Sequence, residues 1–375
     1  MRALVAIGAL FLIAIVLWDT FETIVLPRRV TRQITLSRWF LRIIWRFWSA
    51  VARRMNVGRA REDLSSRETF LSFYGPLSLL LLLIFWAVTL ITGFGALQWA
   101  LGSLLNAPEG SLGFGVDVYM SGTTFFTLGL GDVVPVSSLA RAITVVEAGT
   151  GFGFLALVIG YLPVLYQAFS RREMRVSLLD ARAGSPPRAV EWLRRLGPYE
   201  PASTLDRFLN DWELWSAEVL ESHLSYPILA YFRSQHEHQS WLAALTMILD
   251  VCSLIIVGID GVPTAQARLT FAIARHAVVD LSQIFGVAPQ VPRVNRLPPK
   301  DLVRLRPALT AAGLHLRAGP PADEQLAGLR SLYEPYVDSL SHHLLMPLPA
   351  WLPLPGVADD WQTSAWEQTP EIPLI

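Results

Sequence analysis

The segment of this 375-residue chain best suited to chemistry is Thr127-Leu128-Gly129-Leu130-Gly131-Asp132. It offers no nucleophile–base pair; what it offers is backbone. A cation leaving water needs its hydration oxygens replaced, and carbonyls that all point one way can replace them. Glycine at every second position relaxes the dihedral limits that would forbid that geometry. The Thr127 hydroxyl adds one more oxygen at the inner end. The expected chemistry is coordination of an ion, with no bond made or broken.

Such a segment needs rigid elements on both sides, and the charge distribution shows where they are. Only 17% of the chain is charged and 52% is hydrophobic, against about 25% charged in an ordinary soluble domain. The formal net charge of zero hides three blocks: residues 1–72 are net +7, 73–170 net −3 and 171–375 net −4. No Asp, Glu, Lys or Arg lies between Glu68 and Glu109, or between Glu147 and Arg171. Each gap exceeds the roughly 20 apolar residues that cross a bilayer as a helix. Spans are expected from about Tyr74 to Trp99, with Pro76 in the first turn, and from about Leu139 to Phe169. A third, Ala3 to Leu26, carries Asp19 and Glu22, which either face inward or lie at the interface. A signal peptide competes for that stretch, but no small-residue cleavage site follows its apolar run.

Arginine sets the orientation. Residues 27–72 hold 11 Arg against three acids, whereas 100–138 hold no Arg or Lys, so 27–72 is expected in the cytoplasm and 100–138 outside. Arg38, Arg42 and Arg46, beside Trp39, Trp45 and Trp48, suggest a helical stripe on the membrane surface. Zero net charge removes the case for nucleic-acid binding. The single Cys252 excludes a disulfide scaffold or an iron–sulfur cluster, and so apolar a chain is not disordered.

Between the two firm spans, a short helix from about Val116 to Phe126 would aim its partly negative C-terminus at the hexamer. Together with Thr123-Thr124 in that helix, the sequence T-L-G-L-G-D resembles the T-V-G-Y-G-D filter of the potassium-channel superfamily. The resemblance covers about residues 73–170. The G-L-G form is similar to the second filters of some two-pore-domain potassium channels. The resemblance implies passive K+ conduction, with Thr127, Leu128, Gly129, Leu130 and Gly131 lining the path. It also implies filter support from Thr123, Thr124 and Asp132, and a homotetramer, since one loop per chain requires four chains. Leu130 departs from the family's tyrosine, which braces the filter by a hydrogen bond; leucine braces only by packing, for which Phe125 and Phe126 are the candidates.

Glu147 sits in the otherwise apolar second span. Two readings stand: behind the filter, bonded to its backbone or to a polar group of the pore helix, or near the outer interface with water or Arg141. Gly149, Gly151 and Gly153 follow, then Gly160 and Pro163. In resembling channels an inner-helix glycine bends to open a gate, Pro163 can kink the helix alone, and glycines also permit close packing.

After Arg171 the composition turns ordinary, with helical periodicity from Leu205 to about Phe285. Ser240–Ile259 is apolar enough to span, but the central Asp250 favours a buried core helix. His223, Glu218 and Glu221, with His236 and His238, lack the spacing of a metal site and read as solvated or capping residues. No G-x-G-x-x-G follows the inner helix.

The fold class expected is an all-α membrane protein: outer helix, re-entrant pore helix with filter, inner helix, one N-terminal transmembrane helix and a helical cytoplasmic C-terminal domain. Its segments are 1–26 (N-terminal span), 27–72 (basic, interfacial), 73–170 (pore), 171–300 (helical domain) and 301–375 (helical region and tail). The cell membrane is the expected location. The expected partners are three further copies, lipid and a cytoplasmic ligand or regulator of unknown kind. No cofactor, and no metal beyond permeant K+, is expected. A weakly selective cation channel is the first alternative, and a membrane sensor or enzyme working through the C-terminal domain the second.

Overall fold

The computed structural model describes residues 1–26, 35–55, 61–107, 113–197, 202–235 and 238–352. They are mostly helical and cluster into two units, residues 1–56 with 73–167 and residues 57–72 with 168–375. In chain order come α1 (Arg2–Thr20), α2 (Leu36–Arg54), α3 (Arg61–Ser72), α4 (Tyr74–Leu101), α5 (Phe114–Phe125) and α6 (Ser138–Ala183). Helical stretches long and apolar enough to cross a membrane are Arg2–Val25, Ser66–Leu101, Ser138–Ala183 and Trp241–Gly258.

In the first unit α1 packs along α4. Ala9, Ile13 and Val16, at helical spacing, are buried against Leu83, Trp86, Leu90 and Phe94. Asp19 closes this contact and faces inward. Its carboxylate accepts the Ser37 N–H (3.0 and 3.2 Å), the Ser37 hydroxyl (3.1 Å) and Trp86 Nε1–H (2.9 Å), so three helices share one satisfied buried acid. Thr35 caps α2, accepting from the Arg38 N–H. Of the expected surface stripe, Arg42, Arg46 and Trp39 are exposed, but Trp45 is buried, edge-on to Tyr74 at 4.7 Å. Trp45 thus docks α2 on α4 instead of facing lipid, and the Tyr74 hydroxyl donates to the Leu41 carbonyl at 2.9 Å.

The connection from α4 to α6 is closed by β1 (Leu105–Asn106) and β2 (Val134–Pro135), paired antiparallel with Leu105 opposite Pro135. Gln98 of α4 is fully buried and donates to the Ala140 carbonyl (3.2 Å) and the Thr144 hydroxyl (3.3 Å) of α6. The helix α6 runs through Pro163 without interruption and continues well past Phe169. Arg172, Val176, Leu179 and Ala183 extend it because they recur at helical spacing and are all buried.

The second unit adds α7 (Ala189–Leu196), α8 (Ala202–Ser225), a 3-10 turn (Pro227–Tyr231), α9 (Trp241–Gly258), α10 (Ala265–Phe285), α11 (Pro299–Ala311), α12 (Pro320–Ser331) and α13 (Glu334–Leu344). Helix α9 is its axis. Ser240 caps it, accepting the Ala243 N–H at 3.0 Å, and every residue from Trp241 to Val257 is buried. Burial inside the chain covers 94% of the apolar window of α9 but 11% of that of α6, so α9 is sheathed by protein. Asp250 survives in this core because Arg296 forks onto both its oxygens and the Tyr333 hydroxyl donates to it. The core runs across residue 300 without a break, joining α9 to Leu305, Leu309, Leu326, Val337 and Leu340.

Candidate functional site

The short helix α5 begins at Phe114 and stops at Phe125, and the chain then turns back on it. The Thr127 N–H donates to the Thr124 carbonyl (3.0 Å) and the Leu128 N–H to the Thr123 carbonyl (2.7 Å). The threonine pair therefore holds the following segment through main-chain oxygens. The Thr123 hydroxyl itself donates back to the Met120 carbonyl at 2.9 Å.

From there every second residue is left-handed: Thr127 at φ 56°, Gly129 at 58° and Gly131 at 78°, with Leu128 and Leu130 between them outside that region. Alternation between left- and right-handed backbone turns successive carbonyls toward one side. Glycine adopts it freely. Thr127, β-branched, does so at a cost of order 1–3 kcal/mol, a strain that recurs at functional sites. The side chains of Leu128 and Leu130 are more than half exposed on the single chain. Of the two candidates for packing with Leu130, Phe125 is buried and sits 5.4 Å from Phe126 and 5.8 Å from Phe154, while Phe126 is exposed.

A polar contact spans the same loop. The Tyr119 hydroxyl, on α5, donates to Asp132 Oδ2 at 2.8 Å, linking the pore-helix side of the loop to the residue just after the glycines. Sequence reasoning missed Tyr119, because its role depends on the chain folding back and bringing residues 119 and 132 together.

Behind the segment, Glu147 of α6 is fully buried and accepts a hydrogen bond from the Ser121 hydroxyl of α5. The Ser121 Oγ also lies 2.7 Å from the Ile91 carbonyl of α4, so Ser121 joins all three helices. Of the two positions open to Glu147, the structure places it beside α5; Arg141 instead donates to the Pro135 carbonyl at 3.1 Å. Gly151 lies one helical turn further on. A Cβ built there would come 2.1 Å from the Phe125 carbonyl oxygen, whereas one at Gly149 or Gly153 would meet nothing within 4 Å. Close approach of α6 to the end of α5 thus requires glycine at 151.

In the second unit His223 is buried, not solvated: its Nε2 lies 3.2 Å from Arg172 Nη1 and its Nδ1 3.1 Å from the Ser222 hydroxyl. His238 is exposed, and His236 lies outside the described residues. Among the described residues no group of His, Cys, Asp and Glu could hold a metal ion.

Residues 69–167 match the family model described as an ion channel. These residues take in all of α4 and α5, the left-handed segment and α6 as far as Gln167. No curated protein and no solved structure matches the chain. The match places residues 69–167, about a quarter of the chain, with the ion channels of the potassium-channel-like superfamily.

Proposed function

We propose that four copies of this chain surround one axis and form a potassium-selective channel. Permeant K+ is coordinated by the carbonyls of Thr127, Leu128, Gly129, Leu130 and Gly131 and by the Thr127 hydroxyl. The observation that carries this reading is the alternating left-handed backbone at Thr127, Gly129 and Gly131, held at the C-terminal end of α5. Such a segment stands free on one chain, with Leu128 and Leu130 exposed, and fourfold assembly supplies the missing neighbours. Conduction is electrodiffusion down a gradient, with no cofactor and no bond rearranged.

The arginine asymmetry supports an orientation in which residues 27–72 and the unit after Arg171 lie in the cytoplasm and the connection through β1 and β2 lies outside. The cell membrane is crossed by α1, α4 and α6, while α9 stays in the second unit's core. Gating bends α6 at Gly149, Gly153 or Pro163, and Gly151 keeps α6 on the pore helix. Native mass spectrometry of the detergent-solubilised protein tests the assembly. Four copies per particle are expected; a monomer or dimer contradicts the reading.

A weakly selective cation channel is the second reading. It is favoured by Leu130, whose side chain can donate no hydrogen bond to the pore helix. The Tyr119–Asp132 bond supplies a polar brace at the outer end of the same segment and favours selectivity.

A further inference from the structure

Arg182 at the end of α6, Arg195 on α7 and Arg207 on α8 line one cavity of about 320 Å³, whose floor is Trp192 and Phe208. Those two rings stack at 4.1 Å, and the Arg182 guanidinium lies over Phe208 at 5.8 Å. Three helices thus each bring a guanidinium to one cavity. Like charges converging in a confined space repel unless an anion lies among them, and the described residues leave two of the three without a carboxylate. Glu191 is bonded to Arg194 and Arg195. The lining carboxylate, Asp211, lies 3.7 Å from Arg175. Among the described residues no carboxylate pairs with Arg182 or Arg207, and both are exposed at the rim.

We propose that this cavity binds a soluble organic phosphate. Its phosphate oxygens are held by Arg182 and Arg207, whose planar guanidinium forks match phosphate geometry, and its apolar body lies over the Trp192–Phe208 floor. A lipid headgroup offers the same phosphate, but position disfavours it. Arg182 is 13 residues beyond Phe169 on one continuous helix, a rise of about 20 Å, whereas the headgroup layer extends only roughly 5–8 Å beyond the hydrocarbon on each side. This last step rests on α6 leaving the membrane near Phe169. Binding itself is read without any current, so its failure and a failure of conduction are separate results.

The test is isothermal titration calorimetry on the full-length protein in detergent, with ATP, AMP and inorganic pyrophosphate, and flotation with vesicles containing phosphatidylinositol phosphate. Saturable binding of ATP or AMP, tighter than pyrophosphate and weakened about tenfold in each of Arg182→Ala and Arg207→Ala, is expected. Both positions are at the rim, so the variants should melt as the parent does. Binding unchanged in both variants, no saturable binding of either nucleotide, pyrophosphate binding as tightly as the nucleotides, or arginine-dependent binding to vesicles alone would each overturn the proposal.

Discussion

The Arg172 guanidinium lies 3.2 Å from His223 Nε2 and also donates to the Leu229 and Phe232 carbonyls, at 2.8 and 2.7 Å. This fastens the extension of α6 to the end of α8 and the 3-10 turn. An arginine N–H can only donate, so Nε2 must accept and the imidazole must be neutral, its proton on Nδ1 beside Ser222. Burial, and then the Arg172 charge, push His223 well below the ordinary imidazole value. Glu173, paired with Arg172 at 2.9 Å, is the carboxylate on the other side of the guanidinium.

It follows that acid weakens the second unit. The unfolded chain binds a proton at His223 below about pH 6.5 and the folded chain does not, so stability falls as pH drops below that value. The slope is at most about 1.4 kcal/mol per pH unit. Thermal melts of the full-length protein above and below pH 6.5 measure this. In His223→Gln, where the amide oxygen can still accept from Arg172, the acid-dependent loss should shrink; an unchanged loss means that another group titrates.

The Ser121–Glu147 bond ties α5 to α6, and under the proposed function it supports the filter from behind. Removing a buried hydrogen bond to a charged or strongly polar partner costs about 1.5–3 kcal/mol, equivalent to about tenfold or more in a lifetime. Ser121→Ala and Glu147→Gln should therefore change the open-burst lifetime of single channels while leaving conductance nearly unaltered. Kinetics like the parent's in both variants would show that the bond has no bearing on the filter.

Gly151→Ala places a methyl group against the Phe125 carbonyl oxygen, a backbone atom that cannot move without shifting the end of α5. Overpacking of this kind costs about 1–3 kcal/mol, so loss of current and of thermal stability are expected together. Gly149→Ala and Gly153→Ala meet open space and gain helix propensity of up to about 1 kcal/mol. They should be tolerated in stability, and a gating shift there without destabilisation would locate the bend.

Arg296→Met leaves the Asp250 carboxyl without its ion-pair partner in the core of the second unit. Losing one partner of a buried ion pair costs about 3–5 kcal/mol, read as a lower denaturation midpoint. Adding Asp250→Leu removes the orphaned carboxyl and should restore most of that loss. A double variant no more stable than the single would show that the pair is not the cause.

Much of the pore region was legible because its signals are local in the chain. The two charge-free stretches located α4 and α6, and T-L-G-L-G-D located the turn of backbone at residues 127–131, since glycine at 129 and 131 opens left-handed dihedrals there, although Thr127 adopts one without that freedom. The extent of α6 was underread: its last turns are charged on one face, and only the burial of Arg172, Val176 and Leu179 shows why they stay helical. The supporting contacts were hidden for a common reason. Ser121 meets Glu147, Tyr119 meets Asp132, Arg172 meets His223 and Asp250 meets Arg296 across separations of 13 to 51 residues, and no periodicity encodes such pairs. His223 looked solvated because its neighbours Glu218 and Glu221 are polar, yet it lies on the opposite face of α8.

The most direct test of carbonyl-based potassium selection is the reversal potential of the purified wild-type protein in a planar bilayer, with potassium on one side and sodium on the other. A reversal displaced strongly to the potential that holds back potassium efflux is expected if the backbone at Thr127–Gly131 replaces the hydration shell of K+. A reversal near zero, with equal currents in both directions, would contradict it.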